Sequence, residues 1–278
     1  MTNIEKLHRA DMAILKEVIK ICDEHGLKYY ALGGTMLGAI RHKGFIPWDD
    51  DIDLGMPRED YEFFLKIAPS ALSKTLKLIN YKTDKDYHYY ITRIQDVETK
   101  VMENRYESEG KYTHVSIDIF PLDGSPDNSL LRKLYFLRLM IHRAMMALHY
   151  KNGIDKERKR GIGEKIFLRV ITLLPTDKMF NAYRQKEKID KILKKYDMWT
   201  SVVSGNIMGA YRTVEMIPTA WYGKEAFYQF EDIKIRGIKE YDKYLHHLYG
   251  DYMQLPPVNA RKIHFRIVEI HGQKIEES

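Results

Sequence analysis

Apolar residues near the start of the chain recur at helical spacing: Ile4, Leu7, Ile14, Leu15, Val18 and Ile21 share one face. Thr2 and Glu5 form a capping-box pair in front of them, and Gly26 supplies a stop. The period then shortens. LKYYAL (27–32) reads as a buried strand, Gly33-Gly34 breaks it, and TMLGAIRH (35–42) reads as a short helix. KGFIPW reads as a turn and DDIDLGM (50–56) as a strand of alternating character. Pro57 opens a helix through REDYEFFLKI, with acids in its first turn. Further strands are predicted over 76–81, 87–94, 97–102 and 112–120, the last ending in the turn PLDGSPD. The pattern up to this turn is that of a mixed α/β unit.

The pattern changes after it. Residues 128–150 read as a helix that is apolar nearly all round, with Arg132, Lys133, Arg138 and Arg143 interleaved. A basic stretch (156–161), a second apolar helix (163–175) and a more polar helix (176–196) follow. Short strands and turns come next, then a strand over 230–237 and a helix over 240–250. The expected organisation is a catalytic core at 1–127, a helical subdomain or insertion at 128–200, and a segment at 201–278 that completes the core. No internal repeat or low-complexity segment is present.

Composition narrows the function classes. At 278 residues and 44% hydrophobic, the chain can bury one large core, or a core and a smaller subdomain. A net charge of +6 favours phosphate-bearing substrates or an anionic membrane surface. The basic residues are scattered and match no recognition motif, so no nucleic-acid partner is expected. Cys22 is the sole cysteine, which excludes an intrachain disulfide and a cysteine-based zinc site. The first residues carry no apolar signal core, and no run of 18 apolar residues occurs, so the expected location is cytoplasmic.

The chemistry concentrates in WDDDIDL. Alternation along a strand puts Asp51 and Asp53 on one face, about 7 Å apart, with Asp49 able to join them and Asp50 turned away. Carboxylates so placed repel unless a cation sits between them, and hard oxygen ligands on a strand suit Mg²⁺. Asp118, flanked by Ile117 and Ile119, adds an acid from a second strand; such an acid can bind metal or take a nucleophile's proton. The strand–Gly33-Gly34–helix passage in front can offer backbone N–H groups to phosphate, and Thr35 a hydroxyl.

ALGGTMLGAIRHKGFIPWDDDIDLGM, with the later IDIFPLDG and YLHHLYGDYMQLPP, resembles the LicD family of bacterial phosphocholine transferases, whose domain fukutin and fukutin-related protein share. The resemblance implies an α/β nucleotidyltransferase (polymerase-β-like) fold with a mixed sheet and a helical insertion. It implies Mg²⁺ on the aspartates, with Asp118 as the third acid. It also implies transfer of phosphocholine from CDP-choline, or a similar phospho-alcohol such as ribitol phosphate from a related CDP-alcohol donor. The acceptor would be a sugar hydroxyl of a cell-surface glycan, such as a teichoic acid or lipopolysaccharide precursor. In that scheme Gly33, Gly34 and Thr35 hold the diphosphate, Arg41 neutralises an equatorial oxygen, and Asp118 activates the acceptor hydroxyl.

Choline is a quaternary ammonium and calls for aromatic rings. Trp48 is the first candidate; Trp221, Tyr222, Tyr249 and Tyr252 follow, with packing as their ordinary role. His42, His114, His246 and His247 are expected in packing or at the surface. Arg261 and His264 either touch phosphate or close the domain. A lipid-linked acceptor would give helix 128–150 a membrane surface to dock on, against burial in the core. Two other functions share these residues: transfer of a nucleotide monophosphate from a nucleoside triphosphate to a small hydroxyl compound, and non-catalytic binding on the same fold.

Overall fold

The computed structural model describes residues 2–103, 112–150, 176–261 and 263–275. Helix α1 (Asn3–His25) closes its capping box: Glu5 N–H donates to Thr2 Oγ1 at 3.3 Å, and Thr2 N–H to Glu5 Oε2 at 2.7 Å. Gly26 ends it at φ +66°, a left-handed turn that glycine adopts without strain. The strand expected over 27–32 shrinks to β1 (Tyr30–Ala31). The glycine pair, expected as a break before a helix, is itself the first turn of α2 (Gly33–Arg41).

Strand β2 (Asp53–Pro57) starts three residues later than alternation suggests, because Asp50 leaves the strand direction to serve another element. Helix α3 (Arg58–Ala71) follows on Pro57, and β3 (Leu76–Ile79) comes next. The two strands expected between 87 and 102 are one long strand, β4 (Thr92–Glu103), with an irregularity between Gln95 and Lys100. Strand β5 (Tyr112–Gly124) runs on through the sequence expected to turn. Pro121 stays in register opposite Met56, and Asp123 and Gly124 pair with β6 (Val203–Gly205).

Among the described residues nine strands form one sheet, along the path β1-β2-β5-β4-β10-β11, with β10 (Phe265–Ile270) and β11 (Gln273–Lys274) at one edge. β3 also pairs with β4, and β6 continues into β7 (Met216–Pro218). The β2/β5 pair is parallel while its neighbours are antiparallel, which gives a mixed α/β architecture. The strand expected over 230–237 is instead a separate hairpin, β8 (Phe227–Phe230) and β9 (Ile233–Arg236). Glu231 turns it at φ +50°.

Helix α4 (Ser129–His149) is N-capped by Asn128 and packs against α5 (Ala182–Leu193). α5 is the main part of the expected helix 176–196, which breaks at Asn181; that side chain caps α5 through Arg184 N–H. Tyr135, Leu139, Ile189, Ile192 and Leu193 build a small second core over Tyr81 and Tyr90. Tyr135 and Leu139 are the fully buried residues of α4, so it is not the enclosed helix that its composition suggests. The basic stretch 156–161 and the helix expected over 163–175 lie outside the described residues. Helix α6 (Tyr241–Tyr249) ends at Gly250.

A buried ion network ties the second core to the sheet. Arg58 grips Asp123 at 2.8 and 2.5 Å and reaches Asp190 on α5 at 3.2 Å. Asp190 also accepts from Tyr90 Oη at 2.8 Å and pairs with Lys194 at 2.8 Å. Asp123→Ala would leave the Arg58 charge without its bidentate partner. It should cost about 3–5 kcal/mol, read as a lowered midpoint in urea unfolding of the full chain.

Candidate active site

Parallel pairing of β2 and β5 sets Asp53 directly opposite Asp118. The backbone around this pair is fixed from several sides. Thr35 Oγ1 accepts the Asp53 N–H at 2.8 Å, Leu32 donates to Asp53 O at 3.0 Å, and Asp118 donates to Ile52 O at 2.8 Å. Upstream, His8 binds the Asp49 carbonyl at 2.7 Å while stacking on Phe45 at 3.9 Å. Asp51 and Asp53 thus face the same space although Asp51 precedes the strand.

Two cavities meet at these acids. The larger, about 820 Å³, is lined by Gly33, Gly34, Arg41, Trp48, Asp49 and Tyr249 among others. The smaller, about 300 Å³, is lined by Tyr89, Arg93, Asp118, Arg143, Met146 and Met208 among others. Asp51, Asp53, Phe120, Gly209 and Ala210 belong to both walls. Gly209 is required there: a Cβ would lie 2.4 Å from both Asn206 Nδ2 and Glu215 Oε1, the pair that holds this loop.

The cluster carries more negative charge than its surroundings neutralise. Asp51 and Asp53 are pushed well up from the ordinary carboxylate range, first by enclosure in protein and then by their acidic neighbours. Asp51 is itself exposed to solvent where the two cavities meet. Asp49 rises for the same reasons, with burial first and Asp50 second. Behind them, Asp11 of α1 is 1% exposed, one of its oxygens lacks a hydrogen-bond partner, and burial pushes it far up. Arg93 is the local counter-charge, donating to Asp118 at 2.7 Å.

Among the described residues, no three acid, histidine or cysteine side chains are arranged to hold a metal by themselves. Magnesium ordinarily takes one or two carboxylates and completes its shell with water and substrate phosphate. Asp51 and Asp53, hard oxygen donors with an uncompensated charge, fit that requirement.

The LicD/FKTN/FKRP nucleotidyltransferase domain model matches residues 26–146, a span that holds Asp51, Asp53, Arg93, Asp118 and Arg143. Residues 26–146 are thus similar to the nucleotidyltransferase domain of the LicD family. The lipopolysaccharide cholinephosphotransferase LicD of Haemophilus influenzae is 26% identical over 255 residues, 88% of this chain and 89% of that protein. Human ribitol 5-phosphate transferase FKRP is 42% identical over 52 residues, 19% of this chain and 10% of that protein.

The residues expected to bind the donor take different positions around these cavities. Thr35 is buried and its hydroxyl oxygen is used on Asp53, so it positions an acid and does not line the large cavity. Gly33 lines the cavity at φ +49°, but its N–H already donates to Tyr244 Oη at 2.9 Å. Gly34 stands against Asp49, where a Cβ would lie 2.4 Å from a carboxylate oxygen. Arg41 lines the cavity and donates to Tyr252 O at 2.6 Å.

Trp48 also lines it, with the Arg261 guanidinium 4.5 Å from the ring centre. Tyr249 and Tyr252 reach the large cavity, whereas Tyr222 is buried against Tyr30 and Trp221 packs beside His247. His42 lies edge-on to Trp48, and His246 and His247 bind backbone carbonyls. His264 lines the large cavity, and its backbone N–H and that of Phe265 donate to Asp50.

Asp11 and Arg93 escaped the sequence reading. The signal for Asp11 was an acid four residues from both Leu7 and Leu15 on the apolar face of α1. Because the folded carboxyls sit above their unfolded values, the folded protein binds more protons, and stability falls as pH rises through and beyond the carboxylate range. Asp51→Asn removes part of that penalty. Its melting temperature should exceed wild type at about pH 8 and converge with it near about pH 4. Added Mg²⁺ should raise the wild-type melting temperature more than that of the variant.

Proposed function

We propose that the protein is a magnesium-dependent transferase that moves phosphocholine, or a similar phospho-alcohol, from a CDP-activated donor to a sugar hydroxyl of a glycan. The observation that carries this is the meeting of two cavities at Asp51 and Asp53, as a reaction joining a large donor to a separate acceptor requires. The similarity to LicD and FKRP, whose names specify cholinephosphate and ribitol phosphate transfer, supports the class of group moved. The mixed sheet with its parallel β2/β5 pair supports a nucleotidyltransferase-type fold.

In this reading the donor occupies the larger cavity. Its diphosphate lies near the Gly34 N–H group, which precedes the first intrahelical bond of α2, from Met36 to Leu32. Arg41 stands on the same wall and offsets negative charge on the phosphate. A magnesium ion held by Asp51 and Asp53 would supply Lewis-acid neutralisation of that diphosphate. Trp48 presents a ring that already accepts a cation, the chemistry a quaternary ammonium needs. From the smaller cavity the acceptor hydroxyl attacks the phosphorus bearing the alcohol. The new P–O bond forms as the bond to CMP breaks, and Asp118, oriented by Arg93, takes the hydroxyl proton.

Asp118→Asn and Asp51→Asn should each lower transfer by about 10²–10⁴-fold while the protein stays folded. The check is mass spectrometry of products from Mg²⁺, CDP-choline, CDP-ribitol and glycan acceptors; wild-type turnover in either variant refutes the roles. ATP and CTP run alongside separate this reaction from nucleotide transfer, and no product from any donor would favour a binding module.

The outer face of α4 bears on where the acceptor sits. Leu130, Leu134, Leu137 and Ile141 form an exposed stripe at helical spacing, with Lys133 and Arg138 beside it. We take this face to rest on an anionic bilayer, which suits a lipid-linked acceptor because the inner face of the same helix lines the smaller cavity. No helix among the described residues is long and apolar enough to cross a membrane. The protein should co-sediment with phosphatidylglycerol vesicles at low salt, and Leu134→Glu with Leu137→Glu should abolish this without lowering the melting temperature. Absence of binding dismisses the docking.

A further inference from the structure

Arg143 is the cation of the smaller cavity that has no acid of its own. It projects from the inner face of α4, is half-buried, and donates to Ile207 O at 3.2 Å. It forms no ion pair with a described carboxylate, in contrast to Arg93, which is committed to Asp118. Arg212 adds a second positive charge nearby, and Glu215 is the acid that acts on Arg143 at longer range. Burial and Arg212 together lower Arg143 to about 10, the mark of a cation with too little negative charge around it.

The cavity around it has the size and walls for one sugar unit. Its volume is about 300 Å³, at the lower end of small-molecule sites. Tyr89, Tyr90 and His88 form one wall, Met146 and Met208 another, and the acids close the inner end. Aromatic and thioether surfaces suit the apolar face of a sugar ring, and a guanidinium fork suits two oxygens of one anion.

We propose that this cavity is the acceptor subsite and that Arg143 recognises a phosphate carried by the acceptor, so the acceptor is a phosphosugar unit and not a neutral sugar. The proposal rests on the transferase reading above. Phosphate is favoured over a carboxylate because the Arg143 guanidinium, which lines the cavity without an acid partner, can take two oxygens of one anion, and a phosphate monoester carries more than one negative charge.

The test is a titration of the full chain with glucose 6-phosphate, glucose and glucuronic acid, followed by ligand-observed NMR. It is run with Mg²⁺ and saturating CDP to fill the larger cavity, and repeated without CDP. Glucose 6-phosphate should bind at least tenfold more tightly than either other probe. Arg143→Gln should weaken it at least tenfold while CDP binding is unchanged, and Arg143→Lys should weaken it less. Equal binding of glucose, tighter binding of glucuronic acid, no binding of glucose 6-phosphate, or undiminished binding by both variants each overturns the proposal. Failure of CDP itself to bind would instead overturn the donor reading, with the Arg143 comparison still decided by the titration without CDP.

Discussion

Electrostatic repulsion among a few carboxylates organises this molecule. Parallel pairing of β2 and β5 places Asp53 opposite Asp118, and Asp51 enters the same space from the approach to β2. Separately, each of these acids would sit more favourably in water. They are held together by backbone bonds: Thr35 and Leu32 on Asp53, and Ile52 on Asp118. The interior of the sheet and the packing of α1 therefore work against a local cost at the site, a familiar division of labour in which the scaffold's stability maintains a strained charge arrangement.

Much of this was legible along the chain. Strand alternation separated Asp51 and Asp53 from Asp50, and the structure turns Asp50 away, onto the N–H groups of His264 and Phe265. The capping box, the end of α1 and most helices follow local rules of hydrogen bonding and side-chain spacing. Local rules failed where distant segments decide. The turn expected at PLDG is strand because β6, eighty residues on, supplies partners for Asp123 and Gly124. The two strands expected between 87 and 102 fuse because β4 changes partners part-way, pairing with β3 in its first half and with β10 in its second.

The site was legible as a set of acids and less so as a set of contacts. Thr35 matched a phosphate-binding pattern, yet its hydroxyl is drawn to the Asp53 N–H at the start of β2. Nothing in a one-dimensional pattern distinguishes a hydroxyl that faces a cavity from one that faces a neighbouring strand. Arg93 and Arg143 look alike in the sequence, as bases within ordered segments. The fold separates them, giving one an acid partner on the next strand and leaving the other facing open space.

The Asp50 contact has a consequence for how the protein is made. Asp49, Asp50, Asp51 and Asp53 are encoded within the first fifth of the chain, whereas the N–H groups that satisfy Asp50 belong to residues 264 and 265. During synthesis the ribosome releases these segments far apart in time. Until residue 265 has emerged, Asp50 adds an unanswered charge beside Asp49 and Asp51, and the edge of β4 that receives β10 stays open. The nascent chain would thus carry its acid cluster in an unfinished form for most of translation, and the arrival of a late, distant strand would bring it into register.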